Sequence, residues 1–211
     1  MAALAVCANY LPVARAARLV AAFTAVNVPA GFVAGVRGKA ASRLDPFMDR
    51  VRALLRQARV LYADETPARA DGRLRHVHVA CTEFLTALHT GGRSAKAIDA
   101  GEVLPGYAGT IVRDGYAGYD HFGDALHAWC GAHGLRDLAG LYRSGPEGQV
   151  WARSMADLLI WANKIATAAR AAGQASLSED QLAEIRSWYR GAVAKGITGN
   201  QHKRSNTAKD G

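Results

Sequence analysis

The sequence predicts a mixed α/β fold: three antiparallel strands, then strands joined by crossovers, with N-terminal helices and a C-terminal helical hairpin. Three observations carry this. Between Val60 and His89 the apolar residues recur as strands, and Arg69-Ala70-Asp71-Gly72 supplies Asp-Gly turn chemistry between the first two runs. Two more apolar runs, Gly109–Asp114 and Leu126–Cys130, are separated by turn and helical segments. From Val150 onward the apolar residues keep helical spacing alone.

Residues 12–44 read as two short helices. Pro12 suits a first helical position, and Ala16, Leu19, Val20 and Phe23 follow at helical spacing. Thr24–Val28 is a break. Pro29 opens a second segment with Phe32, Val33 and Val36, in which Gly31, Gly35 and Gly38 each cost about 1 kcal/mol relative to Ala. A plain helical hairpin fits this spacing; so does a helix–turn–helix that brings Arg37, Lys39 and Arg43 to DNA. Residues 44–57 form the clearest helix, with Leu44, Phe47, Met48, Val51, Leu54 and Leu55 on one stripe.

Val60–Asp64 is a continuous apolar run, as expected of a strand buried on both faces. Leu74–Glu83 alternates through His76, Val77, His78 and Val79, and Phe84–His89 makes a further strand. Ser94–Ala100 is a short helix and Pro105-Gly106 a turn; the last two strands follow, and then a helix through Leu141. That order is the ribonuclease-H-like layout. Trp151, Met155, Leu158, Leu159, Ala162, Ile165 and Ala169 then form one helical stripe, and Leu182, Ile185, Tyr189 and Val193 another, broken at Ala172–Ser178. The polar, basic residues from 196 onward are expected to fray. The chain is thus organised as a helical region over 1–57, a ribonuclease-H-like core over 58–143, a helical insertion over 144–195 and a tail over 196–211.

Half of the 211 residues are apolar and 21% are charged, the balance of an ordinary globular protein. The formal net charge of +8 favours an anionic partner, of which nucleic acid is the commonest. Cys7, Cys81 and Cys130 are an odd number without repeated spacing, which argues against a disulfide scaffold and fits a reducing cytoplasm. Met1–Ala8 has no basic segment before it, Arg15 and Arg18 coming after, so it does not read as a signal peptide. No run approaches the roughly 20 apolar residues that span a bilayer.

Two carboxylates stand out. Asp64 ends the run Val60-Leu61-Tyr62-Ala63, and Asp114 ends Thr110-Ile111-Val112-Arg113, 50 residues later. A carboxylate leaving a buried strand is costly unless paired or metal-bound. Side chains alternate along a strand, so only one of Asp64 and Glu65 can enter a shared site. Gly115 and Gly118 let the chain after Asp114 turn sharply. Taken singly, each aspartate reads as a helix cap or turn residue. Their joint position at strand ends in a basic chain puts a shared divalent cation on an equal footing. Cys130-x-x-His133 follows, with His127 before it; a zinc site needs about four ligands, and Cys7 and Cys81 offer no paired spacing. His133, at the first turn of a helix, sits beside the acids or is a satisfied structural histidine.

These residues carry a resemblance. Tyr62-Ala63-Asp64-Glu65-Thr66-Pro67, Arg113-Asp114-Gly115-Tyr116-Ala117-Gly118-Tyr119 and His127-Ala128-Trp129-Cys130-Gly131-Ala132-His133, followed by Leu135-Arg136-Asp137-Leu138, resemble consecutive blocks of the bacterial insertion-sequence 66 family of DDE transposases. Gly91-Gly92-Arg93-Ser94 and Tyr10-Leu11-Pro12-Val13-Ala14-Arg15 resemble further segments of it. The resemblance implies metal-dependent DNA cleavage and strand transfer with two Mg²⁺ or Mn²⁺ ions. Asp64 and Asp114 match the first two metal-binding acids, and His133 matches a supporting Cys-x-x-His element. Arg15, Arg18, Arg37, Lys39 and Arg43 would contact DNA, namely insertion-sequence ends and target. The implied protein is bacterial, cytoplasmic and nucleoid-associated, with self-association open and neither membrane nor small-molecule substrate. The family carries its third acid in an Asn-Asn-x-Ala-Glu-Arg block, and Gly211 is reached without one, so the expectation is an inactive, truncated remnant. The alternative is a DNA-binding fragment that interferes with intact transposase. Glu147, Glu179 and Glu184 have no matching context.

Overall fold

The computed structural model describes residues 1–70 and 72–207, with side chains as far as Gln201. The chain divides into two units, Met1–Ile111 with Ala117–Leu126, and Val112–Tyr116 with His127–Gly211.

The first unit opens with a wide π-type turn at Leu4–Ala8, then α1 (Val13–Thr24) and α2 (Ala30–Arg56). Pro12 and Pro29 each precede a helix as its cap, so both helices start one residue later than the proline pattern suggests. Ala25, left-handed at φ 56°, ends α1. The two segments expected over 29–44 and 44–57 are one 27-residue helix with Pro46 inside it. A mid-helix proline lacks the N–H for one backbone bond and costs about 3 kcal/mol, on top of the glycines. Burial at both ends of α2 opposes that cost. Val33 packs on Ala16, Ala17, Ala5 and Val6, and farther along Val51 and Leu55 are buried.

The sheet runs in the order β3-β2-β1-β4-β5, built from β1 (Val60–Ala70), β2 (Arg73–Cys81), β3 (Thr86–Gly91), β4 (Thr110–Arg113) and β5 (Leu126–Trp129). β1 and β2 pair antiparallel from Tyr62 opposite Cys81 to Ala70 opposite Arg73, and β3 pairs antiparallel with β2. Gly72, at φ 71°, takes the left-handed backbone a tight connection needs, whereas the Asp71 half of the expected turn lies outside the described residues. β4 starts beside β1, the Thr110 N–H donating to Arg59 O at 3.0 Å.

Two expectations for β1 are corrected. The strand does not stop at Asp64 but continues through Thr66-Pro67 to Ala70, because the ladder with β2 extends that far and overrides the local turn chemistry. Nor is it buried on both faces. Leu61 and Ala63 are buried while Val60 and Tyr62 are exposed, the alternation of a strand with one covered face. Leu61 and Ala63 share the buried core of this unit with Ile98, Val103, Leu104, Tyr107, Ile111 and Tyr119. Ser94 caps α3 (Ala95–Asp99) through its hydroxyl, which accepts from Ala97 N–H.

In the second unit α4 (Gly131–Ser144), α5 (Val150–Ala171) and α6 (Glu179–Thr207) pack through Met155, Leu158 and Ala192, with Leu138, Trp161, Ile185 and Val193 alongside. α5 and α6 run in opposite senses: Gln149, capping α5, bonds Asn200, and Trp188 Nε1–H donates to Ser154 Oγ at 3.0 Å. α6 therefore continues helically through the stretch where the sequence suggests a tail. Asn200 gains its partners from Gln149 and the Gly196 carbonyl, contacts that no local pattern reveals. Residues 208–211 of that expected tail lie outside the described residues.

Candidate metal centre

Asp114 follows β4 directly, as its position after an apolar run implies. Its Oδ1 accepts the Tyr116 N–H at 2.9 Å, a local turn that fixes the carboxylate. At the end of the neighbouring β5, the Cys130 N–H donates to Arg113 O at 2.7 Å. That bond brings the start of α4 to the end of β4. His133, in the first turn of α4, thereby presents a ring nitrogen within 4.8 Å of an Asp114 carboxylate oxygen. Both side chains are partly buried.

Cys130 caps α4 and lies against the same histidine. Hydrogen bonds from the His133 backbone, then from its side chain, hold the thiol below its ordinary range, against the opposing effect of burial. All three cysteines are free. His127 takes another role: its Nδ1 accepts from Arg113 Nε–H at 3.1 Å.

In the first unit, Asp64 sits on β1 with its Oδ1 accepting the Glu65 N–H at 2.8 Å. It lies on the opposite side of the strand from Glu65, as alternation requires. Glu65 turns inward, its side chain only 2% exposed, and binds Arg93 Nε–H at 3.0 Å and the Tyr119 hydroxyl at 2.8 Å. This pairing, like the buried Arg113, escapes sequence reading: it joins residues up to 54 positions apart.

Arg15, Arg18, Arg37, Lys39 and Arg43 are exposed on α1 and α2. Glu147, in the connection before α5, and Glu179 and Glu184 on α6 are also exposed. None of these three belongs to a cluster of potential metal ligands among the described residues.

The donor chemistry suits a hard divalent cation. In the second unit, Asp114 has one oxygen engaged by a backbone N–H, and the His133 imidazole beside it adds a nitrogen donor. Such ions tolerate incomplete protein cages because they keep several waters.

A five-stranded mixed sheet with helices, ordered β3-β2-β1-β4-β5, is compatible with a ribonuclease-H-like transposase fold. The family described as "Transposase IS66 family" matches residues 1–210, and the chain belongs to that family. Membership implies DNA as partner and divalent metal use. No curated protein matches the chain. Among the described residues no helix is long and apolar enough to cross a membrane.

Proposed function

We propose that the chain carries metal-binding residues of a DDE-type DNA transposase, Asp114 and His133 as ligands of a divalent cation and Asp64 as the family's first metal-binding acid. The observation that carries the reading is the convergence of Asp114 and His133 at the end of β4 in a chain of this family. Bound Mg²⁺ or Mn²⁺ would activate water or a DNA 3′-hydroxyl and stabilise the leaving oxygen. The chain's own part is to hold each carboxylate through a backbone amide, Glu65 for Asp64 and Tyr116 for Asp114, and to set an imidazole beside Asp114. Arg15, Arg18, Arg37, Lys39 and Arg43 contribute phosphate contacts to insertion-sequence ends and target. Residues 1–57 serve as the DNA-binding helical region, 58–143 as the ribonuclease-H-like core and 144–195 as its helical insertion.

A second reading has its own support. Among the described residues, none of Glu147, Glu179 and Glu184 joins a cluster of potential metal ligands as a third acid. Losing one transition-state-stabilising group costs on the order of 10²–10³ in rate. Strand transfer by this chain is accordingly expected to be negligible, leaving a DNA-binding, interfering role.

The test is Mn²⁺ binding followed by electron paramagnetic resonance, with a strand-transfer assay beside it. Asp64→Ala and Asp114→Ala should each weaken Mn²⁺ binding at least about tenfold. Unchanged affinity in both removes the metal site. An Asp64-dependent transfer product overturns the expectation of inactivity and retires the second reading.

A further inference from the structure

Arg113 is an unusual residue for its position: a guanidinium only 8% exposed at the last place of a short strand, immediately before a proposed metal ligand. A buried charge of this kind is stable only with good hydrogen-bonding geometry. The partners define what it does. Nη1 donates to the carbonyl oxygens of both Asp114 and Tyr116, each at 3.1 Å, and Nε donates to His127 Nδ1 at 3.1 Å. The two carbonyls flank Gly115, so one nitrogen closes the turn on its inner side. On the other side the turn meets an aromatic ring. A Cβ at residue 115 would stand 3.0 Å from Trp129 Cη2, leaving room for glycine alone without adjustment.

We propose that Arg113 is the positioning residue of Asp114. Its forked hydrogen bonds lock the turn 114–116, and the locked turn in turn presents the Tyr116 N–H that holds the Asp114 carboxylate. Arginine is required for this, since a lysine ammonium has no planar fork with which to serve two carbonyls and an imidazole at once. The proposal rests on Asp114 being a metal ligand, but its first consequence, a rigid turn, exists without metal.

The experiment uses the full chain. In the unaltered, metal-free protein the Tyr116 amide should be protected from hydrogen exchange; exchange as fast as in an open loop overturns the proposal before any variant is made. Arg113→Gln and Arg113→Lys should both accelerate Tyr116 exchange while amides of α5 stay protected. Both should lower Mn²⁺ affinity about 10–100-fold, the usual effect of removing a group that orients a ligand. His127→Ala, which leaves both carbonyl bonds in place, should keep affinity within a fewfold of the parent. Accelerated exchange with unaltered Mn²⁺ affinity refutes the positioning role, as does rescue by lysine. If the parent chain lacks Asp114-dependent Mn²⁺ binding, the metal reading fails on its own, and the role assigned here falls with it even where the exchange data show a locked turn.

Discussion

Tyr119 donates its hydroxyl hydrogen to Glu65 Oε2 at 2.8 Å, tying a short 3₁₀ turn (Ala117–Tyr119) to the strand that carries Asp64. Both partners are enclosed, the tyrosine 1% exposed overall and the glutamate side chain 2%. Arg93 supplies the opposite charge at 3.0 Å from the rim. Removing only the hydroxyl leaves a buried carboxylate short of a donor without opening a cavity. Tyr119→Phe should therefore cost about 1.5–3 kcal/mol, the range for hydrogen bonds to charged groups. Urea unfolding decides it: a loss under a tenth of the total stability would mean that Arg93 already satisfies Glu65.

The second unit makes a contrasting pair of glycine substitutions. A Cβ on Gly196 would lie 2.8 Å from Trp151 Cδ2, so α6 passes Trp151 at glycine distance. Gly191, on the same helix, has open space at its Cβ position. Gly191→Ala should stabilise by up to about 1 kcal/mol through helix propensity alone. Gly196→Ala gains the same propensity but overpacks the ring, a cost of about 1–3 kcal/mol, and should be neutral to destabilising. Thermal melts of the two variants should move in different directions; a common upward shift would show that Trp151 yields freely.

What was legible in the sequence followed from local periodicity. The alternation in His76–Val79, the stripe Trp151–Ala169 and the acid after Thr110–Arg113 each report their element without help from distant residues. What was not legible depended on partners. Thr66-Pro67 looks like a turn, yet β1 passes through it because β2 offers a ladder as far as Arg73. Pro46 and three glycines look like breaks, yet α2 spans them because Val33 and Leu55 are buried at its two ends. The site divides in the same way. Asp114 and His133 come together from sequence blocks that could be read, whereas the buried Arg113 and Glu65 find hydrogen-bond partners that no spacing rule connects.

Thiol chemistry offers a probe of the Cys130–His133 contact. Burial raises the Cys81 thiol above its ordinary value of 9.0, while hydrogen bonds from His133 lower that of Cys130. The thiolate is the reacting species, so a lowered value moves the onset of alkylation to lower pH and a raised one to higher pH. Iodoacetamide should label Cys130 at a pH where Cys81 is still unreacted, as read by peptide mass spectrometry. His133→Ala should shift the Cys130 profile partway upward, since the backbone bond, the larger cause, remains. An unmoved profile would show that the ring contributes nothing to the thiolate.

DNA binding by the helical region makes the last prediction quantitative. Arg15, Arg18, Arg37, Lys39 and Arg43 are exposed on α1 and α2. Arg52, farther along α2, is instead held by Asp49 at 2.7 Å and faces Glu102 at 3.5 Å. A cation already paired gives up that partner to reach phosphate, so it adds little to the release of counterions. If these five cations contact phosphate, log K should fall with log salt at a slope of about −4.5. Arg43→Ala should reduce the slope by about 1 and weaken binding uniformly across DNA sequences, whereas Arg52→Ala should leave the slope unchanged. Fluorescence anisotropy on terminal-repeat and unrelated duplexes over a salt series separates the cases. A slope that responds to Arg52 and ignores Arg43 would move the phosphate-binding face to the other end of α2.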